Sequence, residues 1–63
     1  MTNAERHDAA ESTLRQLTYG YMDTAEAKAM CLSHGFEIDF RRWLNNEIEA
    51  LDIETGNYVF LEV

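Results

Sequence analysis

The sequence predicts an α+β fold: three short helices over about 4–19, 24–34 and 40–50, then a C-terminal β-hairpin over about 51–54 and 58–63. Three observations predict it. Apolar residues recur at helical spacing as far as Ala50. Alternation with period two takes over from Leu51. Gly20, Gly35 and Gly56 fall just after, or between, these segments.

The first helix opens at Thr2, whose spacing to Glu5 is that of a capping box. Ala10, Leu14, Leu17 and Tyr21 then fall on one stripe. Glu11 and Arg15 sit four apart on the wet face, in the favoured order for an ion pair. Gly20 supplies a left-handed ending. The second helix repeats the capping spacing with Asp23 and Glu26, and Met22 precedes the cap as a staple. Ala25, Ala27 and Ala29 make it narrow. Gly35 ends it, which places Phe36 to fold back on Cys31.

The third helix is expected to start at Asp39, with Ile38 and Trp43 at staple spacing. Phe40, Leu44 and Ile48 recur every four residues, with Trp43 and Leu51 flanking them. Arg41, Arg42, Asn45, Asn46 and Glu49 take the outer face. In the hairpin, a three-residue loop with Asn57 left-handed pairs Glu54 with Tyr58 and Leu51 with Leu61. Leu51, Ile53, Val59, Leu61 and Val63 then share the core face. Asp52, Glu54, Tyr58, Phe60 and Glu62 share the other. A lone hairpin is marginal and must lie on the helices. Its outer face therefore shows two aromatics framed by carboxylates.

Size and charge bound the function. The 63 residues make a single small domain, 1–63, with a formal charge of −7. A chain this short buries only about 60% of its unfolded surface, so association is an expected source of stability. Cys31 is the only cysteine, so no internal disulfide forms; with no signal-like start, this fits a reducing cytoplasm. No apolar run reaches membrane-spanning length. Residues 1–35 carry five acids and three bases, whereas 36–63 carry seven acids and two bases. After Arg42 there is no Lys or Arg at all. Such a field repels phosphate backbones and anionic lipid and attracts basic protein surfaces.

Over residues 23–50 the pattern resembles a helix-turn-helix domain, with the hairpin as a wing. That resemblance implies a small dimeric DNA-binding regulator, paired through its C-terminal strand, with Arg41, Arg42, Asn45 and Asn46 on DNA. The acids at Glu47 and Glu49 and the acidic wing oppose phosphate contact, which supplies most DNA affinity. Asp52-Ile-Glu-Thr resembles the first motif of DEDD-type exonucleases, but further acids on a much larger domain are needed to hold their two metals. Cys31, His34 and His7 are too few for a structural zinc site. No metal, cofactor or catalytic residue is expected, and no enzymatic activity.

The expected function is that of a small acidic interaction module that binds and blocks a basic, nucleic-acid-binding protein. Glu47, Glu49, Asp52, Glu54 and Glu62 would pair with its Lys and Arg, and Tyr58 and Phe60 would be the anchors. In size and charge the chain is similar in character to phage-encoded inhibitors of host nucleic-acid machinery, including anti-CRISPR proteins.

Overall fold

The first two helices form where the capping signals place them. In a computed structural model describing residues 1–63, α1 spans Asn3–Thr18 and α2 spans Thr24–Ser33. Thr2 and Glu5 make the full capping box, with the Glu5 N–H donating to Thr2 Oγ1 and the Thr2 N–H to Glu5 Oε1, both at 3.1 Å. Asp23 accepts from the Glu26 N–H at 2.8 Å. Gly35, with φ +88°, carries the chain out of α2.

The third helix is not formed. Residues Phe36–Leu44 are strand β1 and Glu47–Asp52 are strand β2, joined by a tight turn at Asn45-Asn46. Leu44 pairs with Glu47 across that turn. Asn45 takes φ +56°, the positive φ that a two-residue hairpin loop demands and that Asn tolerates. Phe40, Leu44 and Ile48 are spaced by four, which suits period two as well as the helical period. The deciding signals were the aromatic and β-branched residues and the Asn-Asn turn. A bulge between Ile38 and Trp43 then changes the phase of β1. Before it, Phe36 and Ile38 point inward; after it, Trp43 packs on the core, stacked against Phe40 at 6.1 Å, and Leu44 faces solvent. The second helix of the helix-turn-helix expected over residues 23–50 is therefore absent.

The C-terminal hairpin exists with a different register. Strand β3 spans Asn57–Glu62 and pairs with β2 so that Asp52 faces Asn57, Leu51 faces Tyr58, Glu49 faces Phe60 and Glu47 faces Glu62. The loop is Ile53–Gly56, and Gly56 rather than Asn57 has the positive φ, +77°. The three-residue slip turns β2 over. Ile48, Ala50 and Asp52 face inward, Leu51 lies on the outer side half-buried, and Ile53 is 49% exposed in the loop. In β3 the expected faces hold: Leu61 is buried, and Tyr58 and Phe60 are exposed.

The result is a two-layer α+β domain, helices on one side of a meander in the order β1-β2-β3. Ala10 and Leu14 from α1 and Cys31 from α2 meet Phe36, Ile38, Ile48, Ala50 and Leu61 from the sheet. No helix is long and apolar enough to cross a membrane.

Candidate protein-docking face

Both helices cover the same side of the sheet, so its other side is open. Tyr58 is 69% exposed, Phe60 60% and Leu44 73%. Large side chains left this exposed on one face make it a candidate interaction surface. The strands place them regularly. Tyr58 lies opposite Leu51, and Phe60 lies opposite Glu49.

Two shallow hollows divide the face. One, of about 200 Å³, lies between Tyr58, Leu51, Glu37, Asp39 and Arg42. The second, of about 340 Å³, lies between Phe60, Leu44, Glu47 and Arg42. The Arg42 guanidinium separates them, Nη1 lying 3.2 Å from Glu49 Oε1 and Nε 3.8 Å from Asp39 Oδ2. Arg41 holds Asp39 at 3.0 Å through Nε, and this hydrogen bond keeps the Asp39 carboxyl below its ordinary range. Both arginines are thus engaged by acids of their own sheet. Glu37, Glu47 and Glu62 have no ion-pair partner within the chain. Glu47 and Glu62 sit directly opposite each other, an arrangement of like charges that costs stability.

Seven residues were expected to form a partner surface, and the structure brings five together: Glu47, Glu49, Tyr58, Phe60 and Glu62. Asp52 and Glu54 are elsewhere. Asp52 is 6% exposed on the inner face, where Arg6 holds it. Arg6 Nη2 lies 3.0 Å from Asp52 Oδ2, and Nη1 donates to the His34 carbonyl at 2.9 Å. Glu54 lies in the loop, with Oε2 2.9 Å from Arg6 Nε. The approach is too bent for a hydrogen bond, so Nε–H has charge neutralisation but no acceptor. The Arg6 hydrogen bond, first of all, lowers the Asp52 carboxyl below its ordinary range. The two carboxylates of Asp52-Ile-Glu-Thr thus converge on a guanidinium inside the protein.

The other expected positions are also altered. Arg41 and Arg42 lie in the β1 bulge region and Asn45 and Asn46 form the hairpin turn, so they share no helix face. Glu11 is turned from Arg15 toward His7 Nε2 at 3.2 Å and the Glu62 N–H at 2.8 Å. Tyr19 and Tyr21 are both exposed, edge to face at 6.2 Å. Burial pushes the Cys31 thiol up to about 11, far from the range of a reactive thiolate. No group of three His, Cys, Asp or Glu side chains is arranged to hold a metal.

Compared with known proteins, the chain matches no family model, no curated protein and no solved structure.

Proposed function

We propose that this protein is an acidic interaction module whose open sheet face docks on a basic protein surface and blocks it. The observation that carries the reading is the uncovered face itself. Tyr58, Phe60 and Leu44 are exposed there among Glu37, Glu47 and Glu62, which lack cationic partners in the chain. Aromatic side chains set in hollows are the usual anchors of an interface, and carboxylates around them steer and orient the partner. A surface that normally binds nucleic acid is the most economical target, because its groove is already basic and carboxylates can take the place of phosphates. The action is occupancy, with no chemical step.

The test is capture from lysate, with and without nuclease treatment, at low and moderate salt. Wild-type protein is expected to retain a basic protein in a nuclease-insensitive, salt-sensitive manner. Glu47→Lys with Glu62→Lys keeps a like-charged pair across the strands, so the fold is retained while capture is lost. Tyr58→Ser with Phe60→Ser is expected to lose capture as well. Recovery of nucleic acid, or unchanged capture by the charge-reversed protein, overturns the reading.

A further inference from the structure

We propose that the open edge of β3 receives an extended, basic segment of the partner as a fourth strand of the sheet. This rests on the docking reading above and specifies how the partner is held.

β3 is the last strand of the sheet and pairs only with β2. The direction of its amides follows from three facts. Val63 N–H donates to Asn46 O at 2.8 Å, Glu62 faces Glu47, and Glu62 N–H donates away from β2 to Glu11 Oε2 at 2.8 Å. An antiparallel ladder alternates, so the amides of Phe60 and Tyr58 also point out of the sheet along this edge. Glu11 covers only the Glu62 amide, and Tyr58 and Phe60 are both exposed.

Sheet edges are usually blunted by bulges, Lys or Pro. The opposite edge, β1, has a bulge between Ile38 and Trp43 and carries Arg41 and Arg42. β3 has an unbroken register with β2, and Asn57–Glu62 contains no Pro, Lys or Gly. One edge is thus protected and the other left as a template for strand addition.

The neighbouring side chains define the occupant. On the helix side an added strand runs beside Val59 and Val63, both half-buried at the margin of the core, which suits apolar residues. On the open side it runs beside Tyr58, Phe60 and Glu62. There Lys or Arg gains both the aromatic faces and the carboxylate. A segment alternating basic and apolar residues satisfies both sides. A second copy of the chain brings another −7 to the same edge and is disfavoured by its charge.

The probe is an end-capped peptide of alternating Lys and Val, with a Glu-Val peptide as control. Residue-resolved amide exchange is measured by NMR at low salt. The Lys-Val peptide is expected to slow exchange at Tyr58 and Phe60 by about tenfold, while the Glu-Val peptide leaves both unchanged. N-methylation of the Phe60 amide, installed by joining two synthetic segments at Cys31, removes the edge donor and keeps every side chain. It is expected to weaken peptide binding about tenfold and leave the urea midpoint unmoved. Binding without slowed exchange at Tyr58 and Phe60, or binding indifferent to N-methylation, overturns edge pairing. If Glu47→Lys with Glu62→Lys still abolishes that binding, docking on the open face survives. No binding of the Lys-Val peptide also overturns the proposal. Slowed exchange that grows with protein concentration alone assigns the edge to a second copy and overturns it too.

Discussion

Arg6 is a charge on a buried stripe. It stands four residues before Ala10 and eight before Leu14, so it continues the apolar row of α1 into the core. Reading that row one turn further toward the N-terminus would have demanded a buried acid elsewhere, because a buried cation without a partner is prohibitive. Which acid answers it was not legible, since Asp52 faces inward only once residues 40–50 are recognised as strands. The ion pair should make the fold acid-labile. Asp52 has a lower pKa folded than unfolded, so its contribution is present above the ordinary aspartate value of about 3.9 and is lost as pH falls through the lowered one. Urea midpoints followed from neutral to acid pH should fall in that range, and Asp52→Asn should show lower stability with a shallower acid dependence. Cys31 gives a second residue-level expectation. With its Sγ buried 3.9 Å from the Ala10 carbonyl and its pKa pushed up to about 11, it should resist thiol reagents at pH 8 until urea unfolds the protein.

The elements divide by how unambiguous their local signals are. α1 and α2 carry capping residues at both expected starts, and both lie within a residue of where the sequence puts them. The segment 40–50 has apolar residues four apart, a spacing shared by both periods, and only Asn45-Asn46 reveals the turn between β1 and β2. In β3 the aromatics lie outside as expected although the three-residue loop that placed them there does not form; the true register brings Asp52 to Arg6, a pairing that no local pattern contains. At the junction of α2 and β1, Gly35 is required twice. Its φ is +88°, and a Cβ there would lie 2.8 Å from Arg6 Nη1 and 3.0 Å from Glu54 Oε2. Gly56 has a similar φ of +77° but open space around it. Gly56→Ala should cost about 1 kcal/mol in urea denaturation, the backbone penalty alone. Gly35→Ala should cost clearly more, about 2–3 kcal/mol. Equal losses would mean that the guanidinium moves aside freely. Across β2 and β3, Glu47→Lys converts a repelling pair with Glu62 into an attractive one and should stabilise the fold by about 0.5 kcal/mol.

For the whole molecule, the charge of −7 on 63 residues bears on stability and on the proposed partnership. Self-repulsion opposes the compact state, so the urea midpoint should rise from low to moderate salt, while capture of a basic partner should weaken over the same range. A core this small has little reserve. Leu14→Ala removes a fully buried side chain from the centre of the cluster and should cost about 3 kcal/mol, a large share of the stability of so small a domain, read as a lowered urea midpoint.

Nearly every element packs on its neighbour in sequence: α1 on α2, α2 on β1, β1 on β2 and β2 on β3. The exceptions lie in the closure of α1 on the sheet, where Glu11 fastens it to Glu62 of β3 and Arg6 to Asp52 at the end of β2. Such a route has low contact order, and rapid, single-exponential refolding is the expected behaviour. The α1–β3 seam joins residues farthest apart in the chain and should form last. Leu61→Ala should therefore speed unfolding much more than it slows refolding, leaving the helical pair and the β1–β2 turn as the region that sets the folding rate.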